Sequence, residues 1–315
     1  SGDRVIGGSG QMDANKEVDR WAHFVNVFMI DREGNRIARR NGQDIFVPLY
    51  DHQIPPGAAQ TVHYRLDVPD NIAAPIRVEL KLKFRKFDKE YVDFVARTHE
   101  ADLEPLRGQL PGQRYLNHLP VTVLAEDVVI FPVEGAEQSV ENPASDVPEW
   151  ERWNDYGIGM FLKGRAELRQ AARAFNEVER LGRYDGPLNL ARVRYREGQL
   201  DAAVDALKRT ATHSTPPAPS WTLAWLSGLV NREQGHLAEA EKNLRSVLED
   251  VTAEMRERGF DFSRDYSVIN DLGLTLFIQA PQMSGERRKN EREALVHRAL
   301  KQLDPTLSLA SENVM

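Results

Sequence analysis

The chain contains no cysteine, which excludes disulfides, thiolate zinc sites, iron–sulfur ligation, a cysteine nucleophile and covalent haem attachment through C-x-x-C-H. The compartment stays open, because a cysteine-free chain is at home in a reducing cytosol or an oxidising periplasm. There is no long basic block either. Lys and Arg total 41 against 48 Asp and Glu, a net charge of −7, so attraction to a phosphate backbone cannot be the main source of binding and nucleic acid is not the expected partner. No uninterrupted apolar stretch approaches the roughly 18 residues of a membrane span, and Ser1-Gly2-Asp3-Arg4 is not a signal peptide. Because the first residue is Ser rather than Met, we expect a processed end from which targeting information has been removed. What is present is ordinary: 315 residues, 41 % hydrophobic and 28 % charged, with 21 Gly and 17 Pro, enough chain for about two globular domains.

The pattern changes near residue 140. From Trp21 to Val133 the dominant period is two, as in Ile76, Val78, Leu80, Leu82 and Phe84 alternating with Arg77, Glu79, Lys81, Lys83 and Arg85. Val62, Tyr64, Leu66 and Val68 alternate in the same way, and Pro69-Asp70-Asn71 suggests a turn that pairs these two strands antiparallel. Trp21 to Ile30 is apolar on both alternating faces, with a turn at Asp31 to Asn35 and another at Asn41-Gly42. Leu119 to Val133 reads as one or two further strands, and Asp102 to His118 as a long loop. Six or seven short strands predict an antiparallel β-sandwich over residues 1–136. The Pro- and acid-bearing stretch 137–149 predicts a linker.

From residue 150 the period becomes helical and repeats. Ala191, Gly198, Ala203, Leu207 and Thr210 fall on Gly228, Gly235, Ala240, Leu244 and Val247 at a shift of 37. A tetratricopeptide repeat has this spacing, because its two helices touch through small residues at fixed positions. Two less regular copies flank them: Trp153 to Gly157 with Ala171, Phe175 and Val178, and Leu272-Gly273 with Ala299-Leu300 and Leu303-Asp304-Pro305 beyond a Ser284 to Asn290 insertion. The expectation is therefore an α+β multidomain chain, a β-sandwich followed by a helical-repeat solenoid of about four hairpins over 150–315.

Arg39 to Leu66, Arg152 to Gly157, Asp185 to Val193 and Trp225 to Ala240 together resemble the C-terminal half of bacterial multihaem c-type cytochromes with tetratricopeptide repeats, the cytochrome c-554-like group. The resemblance runs over most of the chain. It implies a periplasmic or otherwise extracytoplasmic location and a haem-free portion, subunit or paralogue working beside such cytochromes. Since every C-x-x-C-H is absent, no covalently bound cofactor and no electron transfer is implied for this chain by itself, only contact with the haem of a partner chain.

Stacked hairpins leave the first helix of each facing a groove. By alignment the groove positions are Asn154 and Ile158, then Arg192, Tyr195 and Arg196, then Trp225, Leu229 and Arg232, then Asn270, Leu274 and Phe277. Aromatics mixed with Arg suit the anchoring of a peptide or helix, and Trp225 and Arg232 lead the set. The other chemistry is sparse. Gly7-Gly8-Ser9-Gly10 lacks the Gly-Lys-Ser/Thr of a phosphate loop. Asp31, Glu33 and Asn35 space like calcium ligands, but Gly42 stands where the loop's Glu belongs. His236 and Glu239 fit a hairpin surface. His52, beside Asp51 and the rigid Pro55-Pro56, is the one candidate metal or axial-haem ligand. No nucleophile triad or acid/base pair stands out, so the leading expectation is a non-catalytic scaffold docking onto a multihaem cytochrome. A general repeat adaptor or assembly chaperone is the alternative, and a metal-dependent enzyme using His52 the second.

Overall fold

The computed structural model describes residues 4–55, 58–98, 119–134, 142 and 144–282, with positions 290, 293 and 297. The long loop at 102–118 and nearly all of the fourth repeat beyond residue 282 lie outside the described residues, as do positions 137–141 and 143 of the linker. The chain divides into two units, residues 1–57 with 62–146 and residues 58–61 with 147–315.

The first unit is not a β-sandwich. It holds two separate two-stranded antiparallel sheets among the described residues. In one, β1 (Val27–Ile30) pairs with β2 (Val47–Asp51), with a bulge between Phe28 and Met29 and Pro48 opposite Met29. In the other, β3 (Ile76–Phe84) pairs with β4 (Thr122–Phe131) rather than with Val62–Val68. The physical reason is that alternation fixes which face of a strand is apolar and not which strand lies beside it. Phe131, Val129 and Ala125 stand opposite Ile76, Val78 and Leu82, while Val62, Tyr64, Leu66 and Val68 remain exposed and unpaired as strand. A sandwich would bury its inner faces; here Leu80, Leu82, Phe84, Val123 and Leu124 are exposed, and Ala96 is the buried apolar residue of the described part of the unit.

The expected turn at Asp31 forms. Its Oδ1 accepts from the N–H groups of Glu33 and Asn35 at 3.0 and 2.7 Å, and Gly34 takes φ 85°. The carboxylate that a calcium loop would use is thus committed to its own backbone. A helix that the period-two reading missed, α1 (Lys89–Thr98), starts where Asp88 accepts the Tyr91 N–H at 2.7 Å, an N-cap bond. Lys89 then pairs with Asp93 one turn on.

The second unit is helical and fits a helical repeat. Its helices are α2 (Glu149–Leu162), α3 (Leu168–Arg180), α4 (Asp185–Arg196), α5 (Leu200–Ala211), α6 (Ser220–Glu233), α7 (Leu237–Glu249), the short α8 (Ala253–Glu257) and α9 (Tyr266–Gln282). Among the described residues none is long and apolar enough to cross a membrane. The aligned positions are the contact positions: Ala191, Ala203, Ala240, Leu207, Leu244, Thr210 and Val247 are all buried. Gly198 and Gly235, superposed by the shift of 37, take φ 75° and 82° in equivalent turns, a conformation glycine adopts without strain.

Among the described residues the core is divided into separate clusters. Met160, Leu168, Ala171, Phe175, Leu190 and Val193 join α2, α3 and α4; Leu188, Ala191, Ala203, Leu207, Leu226 and Val230 join α4, α5 and α6; Trp221, Leu244, Val247, Met255, Val268, Leu272 and Leu276 join α6, α7, α8 and α9. Each hairpin buries its apolar face on the next one.

Close helix approach makes two glycines critical. A Cβ on Gly228 would lie 2.8 Å from Leu244 Cγ, whereas one on Gly186 would lie 2.3 Å from the backbone N of Glu179 and 2.7 Å from Phe175 O. A side chain can shift; backbone cannot. Both alanine substitutions should lower the denaturant midpoint despite a gain in helix propensity of about 1 kcal/mol, and Gly186→Ala should cost more, on the order of 2–3 kcal/mol net.

Asp155 on α2 supplies a pH signature. Its carboxyl is held above the ordinary value, first by lost contact with water and then by Glu151 one turn back. The folded chain therefore binds this proton more tightly than the unfolded chain, and stability is lost as pH rises from the ordinary carboxylate range through the raised value. Asp155→Asn should stabilise the fold at pH 7 by a few tenths of a kcal/mol, roughly one unfavourable i,i+4 pair, and leave it unchanged near pH 3, as read by thermal melts across pH.

Candidate partner-binding face

In the helical unit the first helices of successive hairpins touch: α2 with α4, α4 with α6, and α6 with α9. The second helices α3, α5 and α7 do not approach one another to the same degree. In stacked helical hairpins the first helices line the concave surface, and this first-helix layer is the corresponding face here.

Two polar ladders cross it. In the first, Asn189 donates through Nδ2 to Asn154 Oδ1 at 2.9 Å, and Arg192 Nη1 donates to Asn189 Oδ1 at 2.9 Å. Asn189 is 6 % exposed, so its amide needs both partners. In the second, Asp271 on α9 accepts from Arg232 Nη1 at 3.0 Å and from Trp225 Nε1 at 2.9 Å, and its backbone oxygen accepts from the same Arg232 nitrogen at 3.3 Å. The Arg232 side chain is 8 % exposed. Burial alone would push its pKa down, yet the bond and charge of Asp271 hold it above the usual arginine value. Tyr195 lies beside this pair, its hydroxyl raised chiefly by desolvation.

The two residues expected to lead the groove are therefore fasteners. Trp225 packs on the Trp221–Leu272 cluster and Arg232 is spent on Asp271, so both tie the third hairpin to α9. Asn154, Ile158 and Tyr195 are half-buried in the stack, and Leu229 packs beside Leu226 and Val230. What stays open is Arg192, Arg196, Asn270, Leu274 and Phe277, the last 58 % exposed. Arg196 lies over the Phe161 ring at 4.8 Å. Sequence reasoning missed Ile278, which the i,i+4 spacing from Leu274 places on the same helix stripe, and it missed Asp271 and Asn189 altogether.

No protein-family model, curated protein or solved structure matches the chain.

The sites expected in the first unit have local roles. The His52 ring stacks between Tyr50 at 4.4 Å and His23 at 4.7 Å, and Tyr50 continues to Phe28 at 5.3 Å, beneath the Arg36 guanidinium. The Gly10 N–H donates to the Asp19 carboxylate at 3.2 Å, so the glycine-rich lead-in is tied to an acid of its own chain. His236 is the exposed residue preceding α7, with Glu239 exposed in its first turn.

Asp271 should be the most sensitive polar position of the unit. Asp271→Ala leaves the buried Arg232 charge with only the more exposed Glu233 carboxylate, 3.5 Å from its Nε, and should cost about 3 kcal/mol in chemical denaturation. Arg232→Met with Asp271→Leu removes both charges and should cost less than Asp271→Ala alone.

Proposed function

We propose that this chain is a non-catalytic interaction scaffold whose first-helix face holds a protein partner. The observation that supports this reading most directly is a division of labour on that face. The stack closes through the Asn154–Asn189–Arg192 and Trp225–Arg232–Asp271 ladders, while Arg192, Arg196, Leu274, Phe277 and Ile278 keep their side chains exposed beside them. Exposed aromatic and aliphatic side chains on the same face as exposed arginines are the composition of binding anchors. The partner proposed is a multihaem c-type cytochrome outside the cytoplasm, and for this the support is the sequence resemblance over residues 39–66, 152–157, 185–193 and 225–240.

A photo-crosslinking residue at position 277, expressed in the source cells, tests this. It should join the chain to a protein with haem absorbance, and the same residue at Lys208, exposed on the second-helix side, should not. A haem-free adduct from position 277 would replace the cytochrome by another partner, while equal yields from 277 and 208 would contradict the face itself. Phe277→Asp should weaken the complex at least about tenfold, the scale of a hot-spot loss.

A further inference from the structure

We infer that the face reads an acidic stretch of its partner, taking two carboxylate side chains of an extended segment on Arg192 and Arg196. This rests on the proposed function and names the chemistry that the partner must carry.

The first observation is a charge imbalance. Four arginines of the inner and neighbouring helices are matched: Arg194 with Glu197 at 2.8 Å, Arg209 with Glu179 at 2.6 Å, Arg232 with Asp271 at 3.0 Å and Arg245 with Glu241 at 2.9 Å. Arg192 and Arg196 are exposed and, among the described residues, have no carboxylate within ion-pair distance. Both are nonetheless held. Arg192 is fixed by the neutral amide oxygen of Asn189, which Asn154 holds in turn, and Arg196 by the ring of Phe161. Crowding by protein lowers the Arg192 pKa from the usual arginine value, with Asp185 opposing. A guanidinium so placed gains from a carboxylate, which its fork matches with two parallel N–H···O bonds, and pre-ordering reduces what binding must spend on immobilising it.

Spacing then selects the ligand. Residues 192 and 196 stand one turn apart on α4, a rise of about 6 Å. In an extended chain, side chains two residues apart lie on one face at about 6.5 Å, so an acid-x-acid sequence running along α4 meets both arginines.

Arrays of immobilised decapeptides, probed with the full chain, test this by comparing Glu-x-Glu, Gln-x-Gln, Lys-x-Lys and Glu-x-x-x-Glu centres and peptides ending in a free carboxylate. The wild type should retain Glu-x-Glu at least tenfold over Gln-x-Gln, and Arg192→Glu with Arg196→Glu should reverse the preference to Lys-x-Lys. Should that double variant fail to fold, Arg196→Gln, whose side chain leaves only the Phe161 ring, should still weaken Glu-x-Glu about threefold. Equal retention of Glu and Gln peptides, lost on Leu274→Asp, would overturn the carboxylate assignment and leave the face standing. Retention unaffected by either set, or no retention at all, would overturn both. Preference for Glu-x-x-x-Glu or for the free C-terminal carboxylate would overturn the extended-segment geometry.

Discussion

The helical unit depends on one constraint: no hairpin can bury its own apolar surface. Phe175, Leu244 and Leu272 are buried, yet each belongs to a cluster built from at least three helices. Such a stack gains stability one interface at a time, and removing a buried leucine would cost about 2–5 kcal/mol at the interface that holds it. The same arrangement leaves every first helix with a face that the core does not need. That surplus face is what the proposed function uses.

Polar side chains on this face divide into two kinds by what they touch. Asn189, Arg232 and Asp271 bond to protein across helix interfaces and give the stack its register. Buried ties of this sort are weak arguments for stability as such but costly to break on one side. Arg192 and Arg196 touch neutral groups and stay exposed. A residue type alone does not separate a fastener from an anchor; the location of the nearest carboxylate does.

This explains which parts of the fold were legible in the amino-acid sequence. Helix pairs that touch through small residues force Ala or Gly at fixed spacings, so Ala191, Gly228, Ala203 and Ala240 revealed two hairpins directly. Gly198 and Gly235 revealed their turns. The β-sandwich expectation failed because Val62–Val68 carries the alternation of a strand and no information on a partner, while β4, nearly forty residues beyond β3, supplies the pairing. The helix α1 was hidden in the same way, although Asp88 followed by Tyr91, Phe94 and Val95 is an N-cap with an apolar stripe. Trp225 and Arg232 were placed on the correct helix face but given the wrong neighbour, because α8 and the short turn at Phe262–Arg264 displace Asp271 from the repeat spacing.

The absence of cysteine allows a direct measurement of whether the first-helix face is open. Single cysteines at positions 196, 274 and 277, with positions 244 and 272 as buried references, each provide one thiol whose maleimide labelling rate reports access. The account predicts rates at 196, 274 and 277 close to those of the unfolded chain, and rates at 244 and 272 lower by orders of magnitude. Protection at 196, 274 and 277 equal to that at 244 would mean that the helices close on one another, and the account of an open binding face would be wrong.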